Sequence, residues 1–259
     1  RAKVSHESLV NPAHSNALES KCTSCHAPMG HYNAIYGGAT HFTLSDLLND
    51  TLGLDGVSCA GCHTISPNVG NTFSGDIPFD TTRQIYGPFP GPFAGPMQLY
   101  EGYTPVYSPH MDESSVCSPC HTLITETIDL AGNYTGNTFV EQATYHEYLN
   151  SSFAGTSTTC QSCHMPRLAD AIVIANGYIT LQPRFPFNQH TFAGANSFML
   201  NLIKNNKAAL GVTASDANLD SSIAATTDML KQKSVEFELI NDGLTPDTAY
   251  YRVKIRNKA

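Results

Sequence analysis

The sequence predicts a mostly irregular fold of loops and short α-helices, ending in a small C-terminal helical and β-hairpin segment. Three observations predict it. First, apolar residues fill 41 % of the 259 positions and Asp, Glu, Lys and Arg only 14 %, against roughly 45–50 % and about 25 % in an ordinary soluble domain. Ser, Thr and Asn take up the difference with 65 residues, so the side-chain core is thin. Second, Gly and Pro crowd residues 65–110, as in Tyr86-Gly-Pro-Phe-Pro-Gly-Pro-Phe-Ala-Gly-Pro96, where lost donors and broken periodicity favour irregular loop. Third, all 8 cysteines fall in four copies of one five-residue word.

The composition also excludes whole classes. No stretch reaches the ~18 apolar residues of a membrane span. The 24 Phe and Tyr residues and the low charge content are unlike a disordered chain. With 14 basic and 22 acidic residues, nucleic acid is not an expected partner. Residues 1–200 hold 6 basic and 15 acidic residues, while 201–259 hold 8 and 7; the acidic part reads as a soluble surface.

The repeated word is Cys-x-x-Cys-His. Its copies are Cys22-Thr-Ser-Cys25-His26, Cys59-Ala-Gly-Cys62-His63, Cys117-Ser-Pro-Cys120-His121 and Cys160-Gln-Ser-Cys163-His164. Two thiols at this spacing reach the two vinyl groups on one porphyrin edge, and the next residue brings an imidazole to the iron. Zinc sites, dithiol redox pairs and disulfides also use Cys-x-x-Cys, but none requires the following His. With 11 His in the chain, four such neighbours arise by chance roughly 3 times in a million. The cofactors expected are four covalently bound haem c groups, with short helices and loops wrapped around them. His26, His63, His121 and His164 are the expected proximal iron ligands.

Seven histidines remain for four distal positions, so His supply exceeds demand. His110 lies seven residues before Cys117 and His14 eight before Cys22, each placed to cross to a neighbouring haem. His190 opens the segment after the last motif, and His6 sits on the N-terminal arm with long reach. These four are the first candidates. His31 and His41 follow the first motif and read equally well as loop residues, and His146 lies on a stretch, 139–151, expected to be helical. Met could replace His as an axial ligand and would raise the potential, but Met165 directly follows His164 and cannot reach the opposite face of that haem.

Element by element, short helices are expected at Thr43–Asn49, with Thr43 and Asp46 as a cap, around 112–121, and at 139–151. Phe198, Leu202 and Ala209, between Asn196 and Gly211, read as one helix. Leu219, Ile223 and Leu230 read as a second, with Asp216 and Asp220 early and Lys231 and Lys233 late. Val235–Leu239 and Tyr250–Ile255 alternate like paired strands. The expected organisation is a tetrahaem-binding domain over 1–195, a helical segment over 196–233 and a β-hairpin over 234–259, read as the possible start of a truncated β-domain.

From Glu19 to about Asn201 the chain resembles the cytochrome c-552/c-554 type of multihaem family. The resemblance rests on Lys21-Cys-Thr-Ser-Cys-His-Ala-Pro-Met29, Asp55-Gly-Val-Ser-Cys-Ala-Gly-Cys-His-Thr-Ile65, Glu141-Gln-Ala-Thr-Tyr145, Cys160-Gln-Ser-Cys-His-Met-Pro166 and Gln189-His-Thr-Phe-Ala-Gly-Ala-Asn196. It implies distal roles for His190 and His110, and a larger β-domain where this sequence stops, hence a shortened relative or an incomplete C-terminus. Four haems at this length also resemble the tetrahaem extracellular cytochromes that polymerise into conductive filaments. That likeness implies self-association, with His6 or His14 serving a haem of the adjacent subunit, and redox proteins or extracellular acceptors as partners.

Three functions follow as expectations. The first is an electron conduit of bis-His, low-potential haems assembled as an extracellular filament. The second is a monomeric periplasmic shuttle with the same chemistry. The third is a nitrite- or hydroxylamine-type reductase, which needs an open iron; no Cys-x-x-Cys-Lys variant marks one, so an electron carrier rather than an enzyme is expected. Haem joins such motifs after export, which places the chain outside the cytoplasm, and Arg1-Ala-Lys-Val, without an apolar stretch, reads as a processed start. Three Asn-x-Ser/Thr sequons, at Asn49, Asn133 and Asn150, read as chance matches in a chain this rich in Asn, Ser and Thr.

Overall fold

A computed structural model of the chain describes residues 15–70, 72–175, 177 and 180–258. The elements are short and mix helix with strand. In order they are α1 (Ser15–His26), α2 (Pro28–Tyr36), α3 (Leu44–Leu47), α4 (Thr51–Leu54), α5 (Cys59–His63), β1 (Gln84–Gly87), α6 (Gly95–Tyr100), β2 (Thr104–Tyr107), α7 (Ser118–His121), β3 (Leu123–Ile128), β4 (Tyr134–Gln142), α8 (Thr144–Leu149), α9 (Cys160–His164), α10 (Ser197–Asn205), α11 (Lys207–Leu210), α12 (Asp216–Asp228), β5 (Val235–Leu244) and β6 (Ala249–Asn257). Two 3₁₀ turns, Pro109–Asp112 and Ser114–Cys117, lead into α7, and a π-helical turn, Met229–Ser234, follows α12.

The chain divides into two compact units. One takes the described residues up to Thr159 together with Ala175–Leu181, the other Cys160–Ile174 and Gln182–Ala259. The fourth motif therefore groups with the C-terminal segment, whereas the sequence alone groups it with the first three.

In the first unit, α3 starts where Thr43 accepts from Asp46 N and the Asp46 carboxylate accepts from Thr43 N, a full capping box. Asp50 caps α4 by accepting from Leu52 N and Gly53 N. The 65–110 stretch is not wholly irregular: β1 and β2 pair in parallel, Gln84 beside Thr104 through Gly87 beside Tyr107, with α6 in the crossover between them. Four-residue strands carrying a Gly and a Pro give no period-2 signal, which is why the sequence reads as loop here. The helix expected over 139–151 starts later, at Thr144. Phe139 and Val140 instead extend β4, pairing with Thr125 and Ile124 of antiparallel β3. Aromatic and β-branched cross-strand pairs favour sheet over helix there.

In the second unit, the single helix expected between Asn196 and Gly211 is two, α10 and α11, parted at Asn206. The Asn206 side chain donates to Leu202 O at 2.7 Å, the local competition with helix that Asn offers. Its outer caps are as the sequence predicts: Asn196 accepts from Met199 N, and Gly211 closes α11 in the left-handed region, φ 69°. α12 packs on α10, with Lys204–Asp220 and Lys207–Asp216 ion pairs at 2.5 and 2.6 Å. β5 and β6 form an antiparallel hairpin in which Phe237 faces Ile255 and Leu239 faces Val253.

The polypeptide itself buries little apolar surface. Among the described residues the core cluster is Ile65, Val69 and Ile77, with Tyr32, Phe79, Val116 and Cys120 packed against it. Large apolar side chains such as Leu99, Tyr100, Phe198 and Ile255 stay at least 70 % exposed. No described helix is long and apolar enough to cross a membrane.

Candidate haem-attachment sites

Each Cys-x-x-Cys-His word ends a helix on its histidine: α1 at His26, α5 at His63, α7 at His121 and α9 at His164. On a helix, positions i, i+3 and i+4 share one face. The two thiols and the imidazole of the first, second and fourth words therefore share one helix face, as a haem edge and its iron require, while in the third word Cys117 ends the 3₁₀ turn that leads into α7. No disulfide joins the eight cysteines, and Cys59, His26, His121 and His164 lie exposed. The other seven cysteines are partly buried, and Cys120 packs against the Ile65–Val69–Ile77 cluster.

Two of the four proximal imidazoles show their orientation in full. His63 Nδ1 donates to Tyr86 O at 2.5 Å and His164 Nδ1 to Ala193 O at 2.7 Å. A carbonyl only accepts, so Nδ1 carries the proton and Nε2 the lone pair, the tautomer a metal ligand needs. The β1 backbone at Tyr86 and the turn after His190 thus set the orientation of two histidines expected to be iron ligands. Neither acceptor is visible in a sequence, because a backbone carbonyl has no residue type.

The distal candidates differ sharply. His31 is buried on α2, and its Nδ1 lies 3.0 Å from the Thr23 hydroxyl. That hydroxyl donates onward, with Phe42 O at 2.7 Å and Ser20 O at 3.0 Å, so it accepts from His31 Nδ1 and leaves the lone pair on Nε2. Burial, and then the charge of Lys21, lower the His31 pKa from its ordinary value. His110 is buried and held at both nitrogens, by Ser108 Oγ at 2.7 Å and by Ile65 O at 3.0 Å from Nε2. Here Nε2 carries the proton, and iron ligation through it exchanges the Ile65 carbonyl for the metal. Burial also lowers the His110 pKa, and the Tyr86 ring, 5.3 Å away, links it to His63.

His190 is exposed between Phe187 and Phe192, ring centroids 6.5 and 5.8 Å away. His146 is half-buried on α8 with its ring edge-on to Phe73 at 4.9 Å. His41 is exposed and paired with Thr40 Oγ1 at 3.2 Å. His6 and His14 lie outside the described residues.

The first and third words meet. The neighbouring Cys120 thiol brings the Cys25 pKa down to about 7, and Cys25 with burial pushes that of Cys120 up. Cys62 and Cys117 add further like-charge pressure on Cys120, so three words crowd one region of the first unit. Among the described residues, no three of His, Cys, Asp and Glu converge on one metal-sized point. The donors are instead dispersed as four Cys₂His sets, each suited to thioether attachment and one axial imidazole. Two buried hydroxyls without a hydrogen-bond partner, on Thr72 and Thr122, flank the third word, polar atoms of the kind a carboxylate-bearing cofactor satisfies. By this chemistry the residues fit haem c. Comparison with protein-family models, with curated proteins and with solved structures finds no match for the chain.

Proposed function

We propose that the chain is a tetrahaem c-type cytochrome that carries electrons and transforms no substrate, exported and working outside the cytoplasm. The observation that carries this reading is the fourfold Cys-x-x-Cys-His, each copy ending a helix on its histidine. When bound, haem supplies a one-electron Fe(III)/Fe(II) couple. The polypeptide's part is to anchor, orient and tune. Cysteine pairs fix the edge of each cofactor, and His26, His63, His121 and His164 supply the proximal nitrogen. The carbonyls of Tyr86 and Ala193 hold His63 and His164 in the donor tautomer and raise their basicity, which favours low potentials. His31 presents its lone pair on Nε2, and with His6, His14, His110, His190, His41 and His146 the chain has enough imidazoles to close all four distal positions.

A homopolymer is the proposed working form, with redox proteins or extracellular acceptors as exchange partners. It rests on the tetrahaem resemblance and on His6 and His14, two imidazoles near the N-terminus that a neighbouring subunit's haem can recruit. Electron paramagnetic resonance of the oxidised protein tests the electron-carrier reading: four low-spin irons are expected, and one stoichiometric high-spin iron returns the reductase alternative. Light scattering of native material tests the polymer: a discrete monomer leaves the periplasmic shuttle.

A further inference from the structure

The segment Thr72–Ile77 belongs to no helix or strand, yet it ties together the first and third words. Ser74 and Gly75 are consecutive residues in the left-handed region, φ 60° and 78°, a conformation that a serine rarely adopts. Their amides donate to Thr122 O at 2.8 Å and Pro119 O at 2.7 Å, both in or beside the third word. Ser74 Oγ brackets Ile124, donating to its carbonyl at 3.0 Å and accepting from its amide at 2.9 Å. Ser118 Oγ returns a bond to Thr72 O at 3.1 Å. On the other side, Tyr32 of α2 donates its hydroxyl to Gly75 O and accepts from Ile77 N at 2.9 Å. Gly75 then lies directly on the first word: a Cβ there would stand 2.0 Å from Ser24 Oγ and 3.2 Å from Cys25 Sγ.

We propose that Thr72–Ile77 is a strap that sets the spacing of the first and third haem-attachment turns, and that Ser74 and Gly75 are its positioning residues. The inference rests on the tetrahaem reading above. Two demands meet at Gly75: the left-handed turn that aims two amides at the third word, and the close approach that leaves no room for a side chain over Ser24. A haem joined at Cys25 would form its thioether on a sulfur that Gly75 crowds. A methyl group at Gly75 displaces the Cys22–Cys25 turn, since the atoms it meets belong to Ser24 and Cys25.

The test compares wild type, Gly75→Ala and Gly91→Ala, matured with haem in the same host. Gly91 has φ 60° but nothing within 4 Å of its Cβ position, so it carries the backbone penalty without the close approach. Peptide mapping locates each haem, and spectroelectrochemistry reads the four potentials. The expected result is loss of haem from the Cys22–Cys25 peptide in most Gly75→Ala molecules, or full loading with two of four potentials displaced. Gly91→Ala matches wild type. Ser74→Ala and Tyr32→Phe, which cut strap bonds without adding bulk, keep four haems and shift the same two potentials; they decide the matter where Gly75→Ala gives no folded protein. A fully loaded Gly75→Ala with wild-type potentials overturns the strap, as do wild-type potentials in both milder variants. Wild type without haem overturns the underlying reading instead.

Discussion

Replacing Thr23 by Val is expected to destabilise the first unit far more than replacing it by Ser. Thr23 is 1 % exposed, and its hydroxyl has one proton and two lone pairs. The proton serves Phe42 O at 2.7 Å and Ser20 O at 3.0 Å, and a lone pair accepts His31 Nδ1–H at 3.0 Å. Val keeps the shape and removes all of this. It leaves a buried imidazole N–H and the Phe42 carbonyl unpaired, at about 1–3 kcal/mol each; the lower part of that range, about 1.5 kcal/mol each, gives about 3 kcal/mol together. A domain of this size loses roughly 2–4 °C of Tm per kcal/mol, so a fall of roughly 6–12 °C is expected. Thr23→Ser keeps the hydroxyl and gives up one methyl group, about 1 kcal/mol. Thermal melts of the haem-loaded protein, followed by far-ultraviolet circular dichroism, read both. A Thr23→Val melt within 2 °C of wild type, or a Ser variant weaker than the Val variant, refutes the relay from His31 to Phe42.

Other perturbations follow the same reasoning. On the tetrahaem reading each of His26→Ala, His63→Ala, His121→Ala and His164→Ala is expected to lower Tm and to turn one iron high-spin, since four haems would supply much of the interior; an unchanged melt and spectrum contradict this. Asn196→Ala removes the acceptor of Met199 N and should cost about 1 kcal/mol, seen as an earlier transition of the second unit in calorimetry. Asp216 has its pKa lowered by the hydrogen bond from Lys207 and by the charges of Lys207 and Lys204. Its folded value lies below the unfolded one, so the stabilisation exists above the ordinary carboxylate pKa and is lost as pH falls through the lowered value. Asp216 is solvent-exposed, which keeps the effect small. Asp216→Asn should leave the melt at pH 7 unmoved and flatten only the decline below pH 4; a clear loss at pH 7 would show the pair matters more than its exposure allows.

How much of this could be read from residues alone depends on whether the signal is local. The Cys-x-x-Cys-His words are local, and in the first, second and fourth one helical turn puts the three side chains on one face. The C-terminal hairpin is local too: Val235, Phe237 and Leu239 alternate with Glu236 and Glu238, and Phe237 and Leu239 meet Ile255 and Val253 across the turn. Asn196 and Gly211 mark real helix ends, but the Asn206 break between them shows only once its side chain is seen reaching Leu202 O. The parallel β1–β2 pair joins residues 20 positions apart, Gln84 to Thr104, and tertiary pairing of that kind leaves no periodicity in four-residue strands. The carbonyls that orient His63 and His164 are invisible for a related reason, being backbone atoms. Sequence spacing favours His110 over His31 as a distal ligand. The structure adds what spacing lacks, the protonated nitrogen, and it lies on Nδ1 in His31 and on Nε2 in His110. The strap residues Ser74-Gly75 had one local signal, a Ser-Gly turn dipeptide, but what that turn grips is settled by chain segments some 50 positions away in either direction.

The most direct test of the central claim is intact-mass spectrometry of the purified native chain, paired with a pyridine haemochrome assay on the same sample. The expected result is the polypeptide mass plus four haem groups, one retained on each Cys-x-x-Cys-His peptide under denaturing conditions, with four irons per chain. A mass showing bare or disulfide-paired cysteines, or zinc in place of iron, contradicts it.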